Sequence, residues 1–136
     1  MEKIIVPARP DNLETVMKFI ERILSMSGVE SMRQNSFMIA AEEIFINITS
    51  YAYPSADGDV TVSAKIDRDR FVMEFSDGGI PYNPLDWAEP DISLSAGDRE
   101  IGGLGIYMVK KMMDSVKYRY EDGKNILTVE KHIGKT

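Results

Sequence analysis

The sequence predicts an α/β protein of the α+β kind, a two-layer sandwich in which three helices cover one face of a mixed, mainly antiparallel sheet. Three observations lead to this prediction. Some segments alternate apolar and polar residues, which is typical of strands. Others carry apolar residues at the spacing of a helix. The order of these segments is β-α-α-β-β-α-β-β. A length of 136 residues suits one domain, so we expect residues 1–136 to form a single unit.

Composition excludes several classes of function. Apolar residues make up 43% of the chain and charged residues 28%, which is ordinary for a globular protein. The net charge of −6 argues against direct nucleic-acid binding and against attachment to an anionic membrane. The chain has no cysteine and one histidine, which leaves little material for a thiolate or histidine metal site or a catalytic triad. No signal-like or membrane-spanning apolar stretch is present, so we expect a cytoplasmic location.

The first strand and the first helix are predicted within residues 1–28. The stretch KIIVPA is a short apolar run that proline closes, as expected of a strand. Asp11 and Glu14 predict a capping box at the start of a helix, and Gly28 predicts its end. Between them, apolar residues recur at spacings of three and four: Leu13, Val16, Met17, Ile20, Ile23 and Leu24.

A second helix is predicted from Ser31, with Gln34 three residues later, to about Tyr53, just before a proline. Its apolar face is formed by Phe37, Ala41, Ile44, Phe45, Ile48 and Ala52.

Four further strands are predicted after the second helix. DVTVSAKID alternates apolar and polar residues and is predicted to pair with RFVMEFS across a short polar turn. The C-terminal stretch VKYRYEDGKNILTVEKHI is predicted to form a hairpin with its turn at Asp122-Gly123.

A polar segment at about 84–101 shows no convincing period. It is long for a structureless connection in a compact domain, so it is either a functional lid or disordered. The stretch GGLGIYMVKKMMDS after it predicts a third helix that begins at a run of glycines.

The second helix carries the first candidate functional pair. Glu43 and Asn47 lie four residues apart and therefore share a face, which flanks the apolar stripe. They form either a polar helix edge with a local hydrogen bond or a carboxylate and an amide oxygen held over a pocket. In the second case the carboxylate can accept a proton, and the amide oxygen is a suitable ligand for Mg²⁺.

The segment SDGGIPYNPL at the end of a predicted strand is the second candidate. Asp77 stands where loops collect ligand-binding groups, and its carboxylate could accept a hydrogen bond from an exocyclic amine such as adenine N6. Gly79 would let the backbone approach a flat ring. A plain turn remains the alternative.

The third candidate is the glycine run before the third helix. Backbone N–H groups at a helix N-terminus bind anions, and glycines at 102, 103 and 105 would let phosphate reach them. The segment is neither a P-loop nor a dinucleotide-binding fingerprint, since the residues that define those motifs do not follow. A glycine-rich turn remains the alternative here too.

Together and in this order, the three motifs resemble those of the GHKL ATPases, the superfamily of DNA gyrase B, MutL, heat-shock chaperones and histidine-kinase catalytic domains. EEIFINITSYAY is similar to the N-box, DGGIPYNP to the G1 box and GGLGIYMVKKMMD to the G2 box. The resemblance spans essentially the whole chain and is greatest to bacterial anti-sigma factor serine kinases and their regulatory relatives. It implies a Bergerat fold that binds ATP between the helices and a lid at about 84–101.

The resemblance also implies roles for individual residues. Asn47 would bind Mg²⁺ and Glu43 would be the general base. Gly103 and Gly105 would contact the phosphates of ATP at the start of the third helix.

At the base end of the nucleotide, Asp77 would bind adenine and Gly79 would permit the approach of the ring. Thr128, in a late strand, would also face the adenine.

The implied function is a serine/threonine kinase that phosphorylates a small antagonist protein (an anti-anti-sigma protein) and sequesters an RNA polymerase sigma factor. A homodimer that pairs through the region of the first helix is also implied. Ile101 stands where such kinases often carry an arginine, and Arg99 is the nearest one. A nucleotide-dependent binding switch without phosphoryl transfer, and an interaction module without nucleotide, therefore remain alternatives.

Overall fold

The computed structural model describes residues 1–54, 56–86 and 103–133. They form five strands and three helices in the predicted order, with 3₁₀ turns at Pro10–Asn12 and Pro84–Asp86. The strands are β1 (Glu2–Pro7), β2 (Asp59–Asp67), β3 (Arg70–Asp77), β4 (Ser115–Glu121) and β5 (Lys124–His132). The helices are α1 (Leu13–Met26), α2 (Ser31–Tyr51) and α3 (Gly103–Met112). The predicted lid beyond Asp86 lies outside the described residues.

The strands form one sheet in the order β1-β2-β3-β5-β4. All four pairings are antiparallel in the described part of the chain, so the predicted mixed component is not found there. The reason is topological. Two helices joined by a short turn return the chain between β1 and β2, so these strands run in opposite directions. After α3, β5 lies between β3 and β4 and separates the two strands that share a direction.

The core lies between the helices and one face of the sheet. Side chains alternate along each strand, and the set that points to the helices is apolar. On β2, β3 and β5 this set includes Val60, Val62, Phe71, Met73, Phe75, Leu127 and Val129. The helices contribute Val16, Ile20, Leu24, Phe37, Ala41, Ile44, Phe45 and Val109. The two-layer α+β architecture predicted from the sequence is confirmed.

The helix ends differ from the prediction in detail. Asp11 lies inside the 3₁₀ turn that Pro10 begins, so the predicted capping box does not form. Asn12 takes the capping position of α1, but its side-chain amide donates to Pro7 O instead of capping the helix. The end of α1 is as predicted, because Gly28 adopts a positive φ of 75° after the last turn. Within the described residues, no helix is long and apolar enough to cross a membrane.

Candidate functional site

A cleft opens where β3 ends, between α2 and the sheet. Its walls enclose about 10 Å³ of free volume, room for about one water molecule, within a wider space of about 260 Å³ that includes open solvent. Side chains from α2, β3, β4, β5 and the turn after β3 line it, among them Ile44, Asn47, Phe75, Asp77, Tyr82 and Asn125. A wider surface depression beside β1 and residues 56–59 contains none of the predicted site residues. The first cleft is therefore the candidate site.

Asp77 is the buried acid of the cleft. Its side chain is only 3% exposed, although it is the last residue of β3. Its Oδ1 accepts hydrogen bonds from Gly79 N at 2.9 Å and from Asn125 Nδ2 at 3.0 Å. Burial raises the pKa of Asp77, while the two hydrogen bonds and the nearby charge of Lys124 oppose that rise. Its Oδ2 accepts no hydrogen bond from the described part of the chain, so this oxygen is the one available to a ligand.

Asn125, on β5, lies directly opposite Asp77 in the sheet and is 4% exposed. Its Nδ2 donates to Asp77 and also to Ile80 O at 2.9 Å. Its Oδ1 accepts from the Tyr118 hydroxyl at 2.5 Å and from Tyr82 N at 3.2 Å. This residue was not predicted from the sequence. An asparagine at an inward position of a strand is the signal that could have identified it, because buried polar side chains require partners.

Thr128 does not lie in the cleft, which corrects the prediction that it faces the adenine. It pairs with Glu74 on β3 and with Lys117 on β4. Successive side chains point to opposite faces of a sheet, and Thr128 is three residues from Asn125. Thr128 therefore points away from the helices, where its Oγ1 is buried without a partner among the described residues.

Asn47 and Glu43 lie one turn apart on α2, as predicted. Asn47 is 5% exposed; its Oδ1 accepts a hydrogen bond from the Tyr82 hydroxyl at 3.1 Å. Its Nδ2 is buried and has no partner in the described ranges. Glu43 is partly exposed, and its pKa is raised by burial and by the charge of Glu42. A carboxylate whose pKa is raised towards neutrality is a better proton acceptor in catalysis.

The start of α3 lies against Glu43. Gly103 is the first residue of α3, and Gly105 lies in its first turn. A Cβ atom added to Gly105 would lie 2.2 Å from Glu43 Oε2, so a larger residue here would displace the Glu43 carboxylate from this position. The first N–H groups of α3, which have no partner within the helix, are thereby next to the carboxylate on α2.

The turn after β3 is held against the C-terminal end of α2. Ile80 N donates to Ala52 O at 2.9 Å, and a Cβ added to Gly79 would lie 2.1 Å from the same oxygen. The Tyr53 hydroxyl accepts from Gly78 N at 2.8 Å. The structure thus gives Gly79 a packing role that was not predicted from the sequence.

The residues of the cleft fit a metal ion carried by a nucleotide better than a metal ion held by protein alone. The described residues contain no cluster of three or more acidic or histidine side chains suited to a metal. Mg²⁺ bound through phosphates needs only one or two protein oxygens, and the amide oxygen of Asn47 is of the right kind. The apolar walls and the free oxygen of Asp77 fit a flat base that carries an amino group.

Comparison with known proteins gives a family match over nearly the whole chain. The model of the histidine kinase-like ATPase domain matches residues 6–131. The serine-protein kinase RsbW of Listeria monocytogenes is 26% identical over 127 residues, which are 90% of this chain and 81% of that protein. The serine/threonine-protein kinase BtrW of Bordetella bronchiseptica is 27% identical over 95 residues, which cover 69% and 67% of the two chains.

Among solved structures, the Acinetobacter baumannii histidine kinase AdeS is similar with a TM-score of 0.55 at 11% sequence identity. The similarity covers 99% of this chain and 70% of that chain. At this identity the similarity establishes the fold alone, and it agrees with the sheet and helix arrangement described above.

Proposed function

The chain belongs to the histidine kinase-like ATPase domain family, and on this premise we propose that it is an ATP-dependent serine/threonine protein kinase. Its substrate is a small antagonist protein, and it also sequesters an RNA polymerase sigma factor. The observation that supports this most strongly is the cleft itself. A buried carboxylate with one free oxygen lines it together with the amide of Asn47, and a partly exposed carboxylate lies one helical turn from that amide.

Recognition of the base takes place at Asp77. The ionised carboxylate accepts a hydrogen bond from the adenine amine through Oδ2, while Ile44, Phe75 and neighbouring apolar side chains cover the ring. Gly79 and Ile80 hold the first residues of the turn against Ala52, so the position of Asp77 is set before the ligand arrives, while the later part of the turn around Tyr82 can still move.

Phosphoryl transfer takes place between α2 and the start of α3. Mg-ATP would bring the γ-phosphoryl group, and the metal would partly neutralise the negative charge on the phosphate oxygens. Asn47 Oδ1 is the protein oxygen that would hold the metal. The N–H groups in the first turn of α3, at Gly103 and Gly105, donate to phosphate oxygens. Glu43 accepts the proton of the attacking serine or threonine hydroxyl. The hydroxyl oxygen then bonds to the γ-phosphorus while the bond between that phosphorus and the ADP oxygen breaks.

The relatives support a protein substrate, since those compared above are named serine-protein or serine/threonine-protein kinases. The sigma factor and the antagonist are proposals that rest on the resemblance of the motifs. A cytoplasmic location, and the absence of direct nucleic-acid or membrane binding, agree with the net charge of −6. We propose in addition that residues 1–136 act as one ATP-binding domain and that two copies pair as a homodimer.

A nucleotide-dependent binding switch without phosphoryl transfer is the second candidate function. One contact favours it. The Tyr82 hydroxyl engages Asn47 Oδ1, the oxygen that the metal would need, so nucleotide binding rearranges the turn after β3. Such a rearrangement could alter the affinity for a partner even if no phosphate moves.

The deciding experiment is transfer of labelled γ-phosphate from Mg-ATP to candidate antagonist proteins, with Glu43→Gln as the test variant. We expect Glu43→Gln to reduce transfer about 100-fold or more and to leave ATP affinity nearly unchanged, because it removes only the proton acceptor. Glu42→Gln is the control for the loss of a negative charge on α2. This neighbouring carboxylate is exposed and lies on another face, so its loss should affect transfer only through its influence on the pKa of Glu43. Transfer by Glu43→Gln at the wild-type rate would disprove the role of Glu43 as the proton acceptor. ATP binding by the wild type without transfer to any antagonist would favour the switch.

A further inference from the structure

We propose that Asn125 is a positioning residue that orients Asp77 and thereby sets the preference of the cleft for adenine over guanine nucleotides. The inference rests on the proposed binding of ATP and concerns a residue that none of the sequence motifs contains. The observation behind the inference is the set of hydrogen bonds that Asn125 makes.

The amide of Asn125 has no capacity left for a ligand. An asparagine side chain can donate two hydrogen bonds and accept two. Its Nδ2 donates to Asp77 Oδ1 and Ile80 O, and its Oδ1 accepts from the Tyr118 hydroxyl and Tyr82 N. All four positions are therefore occupied by the protein. Asn125 acts on the base through Asp77 and not by direct contact.

The effect of Asn125 on Asp77 is directional. Both hydrogen bonds to the carboxylate fall on Oδ1, one from Asn125 and one from Gly79 N. Two donors on one oxygen fix the rotation of the carboxylate and leave Oδ2 to accept from the ligand. Without the amide of Asn125, only Gly79 N would hold Oδ1, and the carboxylate could turn about its terminal bond, where the rotational preference is broad.

A fixed acceptor discriminates between purines. Adenine presents an amino group at position 6, and guanine presents a carbonyl oxygen there. An ionised carboxylate oxygen aimed at this position accepts from the amine but repels the carbonyl oxygen, and a buried polar group left without a partner costs free energy. A carboxylate that can rotate loses the hydrogen bond to adenine and also relieves the repulsion of guanine. Loss of Asn125 should therefore lower the ratio of the two affinities.

The test is titration calorimetry with Mg-ATP and Mg-GTP on the wild type, Asn125→Leu and Asn125→Ala. Leucine has a similar size, while alanine leaves room for water to partner the polar atoms and is the milder change. We expect the wild type to bind ATP at least about 100-fold more tightly than GTP, because a site built for one hydrogen-bonding pattern rejects the other. In either variant we expect this ratio to fall about 10-fold or more, mainly through weaker ATP binding.

Thr128→Ser is the matched control. Thr128 lies on the same strand as Asn125 but points to the other face of the sheet, so the ratio should stay within about threefold of the wild type. A folded Asn125→Leu or Asn125→Ala variant with an unchanged ratio would overturn the proposal and show that Asn125 has a structural role only. If the leucine variant does not fold, the alanine variant decides. Failure of the wild type to bind either nucleotide would overturn the proposed function together with this inference.

Discussion

At the scale of the residue, the buried charge of Asp77 in the cleft lowers the stability of the folded protein. The carboxylate of Asp77 is almost fully buried, and the donors around it reduce the cost of its charge without removing it, because its pKa is still raised. A protein that needed only to fold would not require an ionised group at this position. The position of Asp77 is therefore better explained by ligand binding than by folding.

Asp77→Asn should stabilise the protein and abolish recognition of adenine. The amide oxygen can keep both hydrogen bonds of Oδ1, while the group that replaces Oδ2 becomes a donor facing the donor of adenine. The folded-state pKa of Asp77 lies above its unfolded value of 3.8, so the native state binds the proton more tightly. Wild-type stability must then fall as pH rises from about 4 through the folded pKa, and the loss persists at neutral pH.

Chemical denaturation of Asp77→Asn at several pH values tests this prediction. We expect a higher free energy of unfolding than that of the wild type at pH 7 and a smaller difference near pH 3. Thr128→Ser is a suitable control, since Thr128 lies on the other face of the sheet. A variant that is less stable than the wild type at pH 7 would contradict the argument.

Two glycines should respond in opposite ways to replacement by alanine. In Gly105→Ala the new methyl group meets only the end of the Glu43 side chain, which can move aside. Since alanine favours a helix by about 1 kcal/mol over glycine, the variant should be at least as stable as the wild type, yet slower in phosphoryl transfer. In Gly79→Ala the methyl group meets the backbone oxygen of Ala52, so the variant should lose about 1–3 kcal/mol.

Thermal denaturation and a transfer assay on both variants separate the two effects. If Gly105→Ala were strongly destabilised, the close approach of α3 to the flexible end of Glu43 would be incorrect. If Gly79→Ala kept wild-type stability, the contact between the turn and the end of α2 would be looser than the hydrogen bond of Ile80 N implies.

At the scale of the element, the turn after β3 is the part of the cleft that must change most when a ligand binds. It carries Tyr82, whose hydroxyl donates to Asn47 Oδ1. Burial raises the pKa of Tyr82, so the hydroxyl stays protonated and remains a donor. The partly positive hydrogen of this hydroxyl therefore lies at the oxygen of α2 that a bound metal ion would need, and it would oppose the cation.

Tyr82→Phe should strengthen the binding of Mg-ATP about 2- to 10-fold, because the competing donor is removed. The gain should disappear when ATP is titrated without Mg²⁺, since only the metal needs the amide oxygen. Tyr120→Phe, which alters an exposed tyrosine of β4, serves as the control. Weaker binding by Tyr82→Phe would mean that the hydroxyl contacts the ligand and does not compete with it.

The helices and strands were predictable because their periods are local properties of the sequence. The four-residue spacing of Glu43 and Asn47 is enough to place both on one face of α2. Thr128 was assigned to the wrong face of its strand and Asn125 received no role, because the residues of β5 that face the cleft depend on the register between β3 and β5. The contact of Tyr82 with Asn47 joins residues far apart in the chain, which no local pattern reveals.

At the scale of the whole molecule, ligand binding should be visible as a change in stability, because the cleft is formed by both layers of the fold. Asn47 comes from a helix, while Asp77 and Asn125 come from the sheet, so unfolding of either layer destroys the site.

Mg-ATP at about 100 times its dissociation constant should add about 2.7 kcal/mol to the free energy of unfolding. For a chain of this size that corresponds to an increase in Tm of roughly 10 °C. Differential scanning calorimetry with Mg-ATP and with Mg-GTP measures it, and the apo protein provides the baseline. An equal increase with both nucleotides would contradict adenine recognition, and no increase with either would contradict nucleotide binding.

The hydrogen bond from Ile80 N to Ala52 O has a consequence for changes in chain length. It ties the end of α2 to the turn after β3, while Glu43 and Asn47 project from the middle of the same helix. Each residue inserted between Asn47 and Ala52 would rotate the face that carries Glu43 and Asn47 by about 100° relative to the turn and move it by about 1.5 Å. Insertions and deletions should therefore be tolerated in the loops of this fold but not in this stretch of α2. This stretch fixes the distance between the turn after β3 and the side chains of Glu43 and Asn47, and so the length of ligand that can span both.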